Sequence, residues 1–318
     1  MGKHLLQSVS KRGALEISFG WLFAIIAGIA IIFLAIYLSS RLINSSQETI
    51  SAETGKEIEI LLNPLETSFE SSQITSITIP TQTRINNICD DSGTYGRQGV
   101  RLDQMSFGKW VETDTNVYFT NKYIFSDSVT EGKKFYVFSK PFSFPFKVAD
   151  LIYLIPSSKT YCFTNAPSFI LNELSNLNQS VIQTSNCSND DIKVCFNSAG
   201  CEVNVNLNSK TVTKNKAKMY YSGMEEDYSL MYAAIFSDKT IYECQVKRLM
   251  LRLNKIAQLY REKAISLQES GCEDTISNYL NEFEILSETY SNSENLEELA
   301  IKAESIVYTN NAGECMTW

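Results

Sequence analysis

The chain has 318 residues, 44 % of them hydrophobic and 20 % charged, and a net charge of −8. That composition excludes a wholly disordered chain, and the length suffices for one large core or two modest ones. The acid excess argues against nucleic acid as a partner and against adhesion to anionic lipid, and is mainly a solubility device.

Residues 1–16, MGKHLLQSVSKRGALE, form a basic leader in which Lys3, Lys11 and Arg12 face a single acid, Glu16. Ile17–Leu38 follows with no charged residue. At about 1.5 Å per residue this stretch makes about 33 Å of helix, enough to cross a hydrocarbon core of about 30 Å. It is predicted to be a single transmembrane helix with membrane lipid as its partner. A cleaved secretory signal has an apolar core of about 7–15 residues and a small-x-small cut site, and Ser39-Ser40-Arg41 is a weak match. Arg41 is the only basic residue between Leu38 and Lys56. The basic bias therefore places the N-terminus in the cytoplasm and the C-terminal domain outside. Gly20, Ala24 and Gly28, spaced by four, share one helix face through which a second copy could pack. Small residues are frequent in such helices whether or not they associate.

Lys11-Arg12-Gly13, then Ala14-Leu15-Glu16, then the apolar run, resembles the class III signal of archaeal type IV pilin-like proteins. The resemblance covers about the first forty residues. It implies cleavage between Gly13 and Ala14 by a prepilin-type peptidase, with the apolar tract serving as anchor and assembly helix. Glu16 then plays the part of the family's acidic residue, although that glutamate usually sits slightly deeper. The rest of the chain resembles archaeal membrane-anchored proteins to which no activity is attached.

Ser39–Leu62 reads as a helical stalk, with Leu42, Ile43, Ile50, Ile58 and Leu61 near helical spacing and Pro64 as a stop. Residues 72–236 read as an α+β ectodomain with a mixed sheet and a subdivision near 150. Ile74–Ile79 alternates and ends at Pro80, and Thr83–Cys89 follows as a second strand. Asp90–Gly99 is a turn-rich loop before a strand at Val100–Phe107. Asn116–Ser126 and Lys133–Ser139 are strand candidates separated by a turn at Thr130-Glu131-Gly132. Phe142, Phe144 and Phe146 alternate, so they share a face, either of a sheet core or of a docking patch. Gly93, Gly96 and Gly99 lack the spacing of a phosphate cradle, and Arg97 and Arg101 beside them read as surface arginines. Leu151–Ile155, Thr160–Thr164, Val181–Thr184, Ile192–Phe196 and Cys201–Leu207 are strand-like, and Pro167 opens a helix at Ser168–Leu177. Residues 237–318 are helical: Ser237 or Asp238 caps a helix to about Gln268, with a stripe of Ile241, Val246, Leu249, Leu253, Ile256, Leu259 and Ile265. Thr275–Tyr290 and Glu294–Tyr308 form two more helices.

All eight cysteines, Cys89, Cys162, Cys187, Cys195, Cys201, Cys244, Cys272 and Cys315, follow the apolar segment. An even number on one side of a membrane predicts disulfides in an oxidising space. Cys187, Cys195 and Cys201 crowd into a polar stretch that predicts a short bridge. An antiparallel pair of C-terminal helices would bring Cys272 and Cys315 to the same end. Asn44, Asn178 and Asn186 begin N-x-Ser sequons, candidate glycosylation sites of an external surface.

The single histidine, His4, precedes the apolar segment, so nucleophile–histidine catalysis and histidine-based zinc sites have no base or ligand in the ectodomain. The acid clusters Asp90-Asp91, Asp190-Asp191 and Glu225-Glu226-Asp227 lack calcium-loop spacing and read as solvated. No catalytic residue, cofactor or metal is expected. The residues predict a single-pass extracytoplasmic protein, pilin-like, with a structural or binding role at the cell surface. The alternatives are a tethered ligand-binding or sensory domain that never assembles, and a hydrolase working through paired carboxylates.

Overall fold

The computed structural model describes residues 19–62, 74–112, 116–224, 227–272, 276–290, 292–313 and 315–318. They fall into two units, Met1–Ile50 and Ser51–Trp318. Helix α1 (Phe19–Leu62) is a single 44-residue helix, so the apolar stretch and the stretch expected as a stalk belong to one element. Within it, Phe19–Leu42 has a mean hydropathy of 2.7, and none of its residues is buried within the protein. It is the one described helix long and apolar enough to span a membrane.

The rest is an α+β fold with two sheets. The first has seven strands: β1 (Ile74–Asp90), β2 (Arg97–Ser106), β3 (Lys109–Val111), β4 (Asn116–Phe119), β5 (Tyr123–Phe125), β6 (Val129–Ser143) and β7 (Lys147–Pro156). Its order is β3-β2-β1-β6-β7-β5, with β4 pairing the other end of β2. Strand β1 departs from expectation by running through Pro80 without breaking. The ladder to β6 shifts register between Thr78 and Thr83, so the proline falls where no partner needs its missing N–H. Thr130–Gly132 is likewise no turn, because it pairs with Thr83–Ile85 inside β6. The expected strand over Asn116–Ser126 is two short ones, β4 and β5. Arg97–Gly99 belongs to β2 rather than to the preceding loop.

The second sheet has six shorter strands: β8 (Tyr161–Thr164), β9 (Ile182–Gln183), β10 (Ile192–Phe196), β11 (Val203–Asn206), β12 (Thr211–Lys214) and β13 (Ala217–Tyr220). Their order is β13-β12-β11-β10-β8-β9. Asn215 and Lys216, both at positive φ (50° and 65°), make the two-residue turn between β12 and β13. Helix α2 (Ser168–Leu177) starts immediately after Pro167, whose fixed φ suits a helix entry.

No boundary falls near 150, which lies within β7 of the first sheet. Instead, the two sheets share a core through α3 (Ser229–Phe236), all eight of whose residues are buried. Phe236 is packed edge-on against Phe138 and Tyr153 of the first sheet and Tyr161 of the second. Helix α4 (Lys239–Glu269) then packs on β1, β5 and β7, its N-terminus capped by Asp238, which accepts from Ile241 N at 3.0 Å. Its stripe is buried from Ile241 through Leu253 but leaves Leu259 63 % and Ile265 39 % exposed. Helices α5 (Ile276–Glu288) and α6 (Leu296–Ala312) complete the C-terminal region. Phe142, Phe144 and Phe146 are buried, Phe144 near Phe283 and Phe146 between Tyr260 and Trp318. They are core and not a docking patch.

All eight cysteines pair: Cys89–Cys244, Cys162–Cys187, Cys195–Cys201 and Cys272–Cys315. The first fastens α4 to β1, and the last joins the segments flanking the α5–α6 pair. Beside Cys244, Arg248 is fully buried, and its hydrogen bonds run to two backbone carbonyls and the Gln245 side chain. Its guanidinium donates to the carbonyls of Lys122 (2.9 Å) and Thr120 (3.1 Å) and lies 4.7 Å above the Tyr123 ring. Burial pulls its pKa down to about 10. The turn at Gly96 passes under this helix: its φ is +59°, and a Cβ there would come 2.8 Å from Arg248 Cγ.

Candidate ligand cleft

A concavity of about 850 Å³ lies in the second unit, where the chain between β13 and α3 passes beside α6 and the start of α2. Three local features build it. Helix α6 contributes Glu304, Tyr308 and Asn311, spaced by four and three, which puts them on one face. Tyr308 is 79 % exposed, and Glu304 and Asn311 are exposed as well. The first turn of α2 contributes Phe169, which stacks on Tyr228 at 4.9 Å with the planes 27° apart. The strand end contributes Tyr221 and Ser222, both buried, whose hydroxyls have no hydrogen-bond partner among the described residues.

Charge in the cleft is mixed. Lys210, at the turn before β12, supplies the cation; Glu304 and Asp227 supply the anions. Burial pushes the Asp227 carboxyl above its ordinary range, against the opposing effect of its bonds to Ser229 and the nearby Lys140. Its Oδ1 accepts from Ser229 N at 2.8 Å and so satisfies the first N–H of α3. Glu225 and Glu226, grouped with Asp227 in the sequence, lie outside the described residues.

The other acidic clusters are occupied elsewhere. Asp90 binds Arg97 (2.9 Å) and Ser92, bonds that hold its carboxyl down at about 2. Asp91 pairs with Lys247 at 2.8 Å, and Asp191 accepts from Ser188 N at 2.6 Å. Arg101 pairs with Asp103 at 3.1 Å. The disulfides take every thiol, so no cysteine is left as a thiolate ligand or nucleophile.

The residues singled out in the sequence map away from the cleft. Gly13 and Ala14, with Glu16, lie outside the described residues. Gly20, Ala24 and Gly28 lie on α1, where a Cβ on either glycine would meet nothing within 4 Å. The Asn44 side chain is outside the description. Asn178 and Asn186 are exposed at positive φ, Asn178 ending α2 and Asn186 preceding the bridged Cys187. Nothing in the sequence marked the cleft, because its residues come from four separated segments. The nearest signal was the Glu304–Tyr308–Asn311 spacing, which puts an aromatic on the polar side of α6. No known protein family, characterised protein or solved structure matches this chain.

Proposed function

We propose that this is a single-pass membrane protein of archaeal pilin-like type, with its N-terminus in the cytoplasm and a disulfide-stapled domain outside the cell. The domain takes a structural or binding role at the cell surface. One observation carries the reading: an apolar helix with no buried residue precedes a domain in which all eight cysteines are bridged. An unpartnered apolar surface of that length needs lipid or another helix around it, and four disulfides need an oxidising compartment. The basic leader sets the orientation, and Lys11-Arg12-Gly13 supplies the peptidase site. The unbroken α1 suits a tract that is membrane anchor at one end and water-exposed at the other. A tethered domain that binds a ligand without assembling is the second reading, and the cleft beside α6 favours it.

The test is mass spectrometry of the membrane fraction from the native host. The expected mature chain begins at Ala14 and takes up no alkylating reagent until reduced. A chain beginning at Met1 or Gly2 removes the pilin-like processing, and eight alkylated cysteines without reductant remove the exterior location. Crosslinking through cysteines placed at Gly20 or Ala24 separates the readings, since an assembling helix gives oligomers and a solitary anchor gives none.

A further inference from the structure

We propose that the cleft beside α6 binds a neutral oligosaccharide. The inference deepens the binding role given above to the exterior domain. Sugar rings present two chemistries: an apolar face of C–H groups, and a rim of hydroxyls that both donate and accept. The cleft offers a counterpart to each. Phe169 stacked on Tyr228 is a flat platform on one side, and the largely exposed Tyr308 is another aromatic surface on α6. Aromatic rings with a polar handle suit ligands that are apolar on one side and wet on the other.

Beside Tyr308 on the same helix face, Glu304 and Asn311 present a carboxylate and an amide. Each planar group can address two neighbouring hydroxyls, the carboxylate by accepting and the amide by accepting and donating. Deeper in, Tyr221 and Ser222 are buried and close off the floor of the cleft. Among the described residues, two carboxylates accompany one ammonium in the lining, a balance that disfavours polyanions. The volume of about 850 Å³ lies in the range of sites that enclose a ligand, and exceeds what one sugar ring needs.

The full chain is purified in a zwitterionic detergent without a sugar headgroup, since alkyl glycosides would occupy the site. Maltotriose, N-acetylchitotriose and mannotriose are each tested at millimolar concentration by saturation-transfer NMR and by the shift in thermal midpoint. The expected result is transfer to the ring protons of at least one trisaccharide, with affinity reduced at least ~10-fold in Tyr308→Ala and in Asn311→Ala. Both side chains are exposed, and an unchanged midpoint without sugar verifies the fold of each variant. Absence of transfer from all three sugars overturns the proposal, as does transfer undiminished in Tyr308→Ala. A chain that binds sugar but carries no anchor in cells would break the proposed membrane role and leave the cleft standing. An anchored chain that binds none of the three does the reverse.

Discussion

The two sheets reach a common core by different means. In the first, β1 and β6 run for 17 and 15 residues, and the principal neighbours are antiparallel. Long ladders return many backbone hydrogen bonds for each connection they close, the long one between β1 and β6 included. In the second, strands of two to five residues are joined by three parallel pairings, β8 with β9, β8 with β10, and β10 with β11. Parallel neighbours need crossovers, and short strands return few hydrogen bonds for the entropy of closing them. Two of the four disulfides, Cys162–Cys187 and Cys195–Cys201, sit in this weaker sheet. The first sheet has a single bridge, and it leads outward to α4.

If bridges act chiefly by restricting the unfolded chain, their effects follow loop length and not sheet. Cys89–Cys244 closes a separation of 155 residues, which in the chain-entropy account corresponds to about 5 kcal/mol. That is comparable with the whole net stability of many domains, about 5–15 kcal/mol. The double variant Cys89→Ala/Cys244→Ala is therefore expected to show the largest loss, read as the drop in denaturation midpoint in non-reducing buffer. Arg248 and Gln245 should then no longer be held under β1 and the β4–β5 segment.

Cys195–Cys201 closes only six residues, and the same account gives about 2 kcal/mol. Cys195→Ala/Cys201→Ala should therefore be the milder variant, despite lying in the sheet with the shorter strands. The opposite order would mean that this bridge holds β10 and β11 in register in the folded state. The comparison between the sheets would then rest on native geometry.

Much of this contrast was legible beforehand. Periodicity found α2 and α4 to within a residue, because Pro167 and Asp238 mark their starts and the apolar residues recur on one face. The Cys272–Cys315 pairing followed from two helices joined by a short turn. Helix α3 was missed for a physical reason: SLMYAAIF is apolar all round, since it is enclosed by both sheets, and so it shows no helical period. The subdivision near 150 failed because α3 fuses the two halves. Pro80 was misread because a register shift can absorb a proline that would break a regular ladder. The hairpin of β12 and β13 escaped notice because its turn residues are Asn-Lys, where glycine would have been the familiar signal. The cleft was beyond reach, since proximity among Phe169, Tyr221, Tyr228 and Tyr308 is a property of the tertiary fold alone.

The smallest expected effects come from two aspartates near the seam between the sheets, and they have opposite signs. Asp127 follows β5 of the first sheet and binds Lys214 of β12 in the second at 2.9 Å, with Lys159 as a further partner. Burial raises its pKa, but the two ammonium groups outweigh burial and hold it below the ordinary 3.8. Its folded form thus releases a proton more readily than its unfolded form. The stability it contributes is present above about pH 4 and is lost as pH falls through the folded value. Asp227 is raised, chiefly by burial, so its contribution is complete below the unfolded pKa and is lost as pH rises through the folded one. At neutral pH, Asp127→Asn should lower stability, by on the order of 1 kcal/mol, whereas Asp227→Asn should be neutral or stabilising, because an amide can still accept from Ser229 N through its oxygen. Urea titrations at neutral pH and near about pH 3 measure both. The deficit of Asp127→Asn should shrink in acid, and any gain of Asp227→Asn should shrink with it. A deficit in Asp127→Asn that is unchanged by acid would mean that its lysine partners contribute no net charge–charge stabilisation. The aromatic packing around Phe236 would then be the larger contribution at the seam between the sheets.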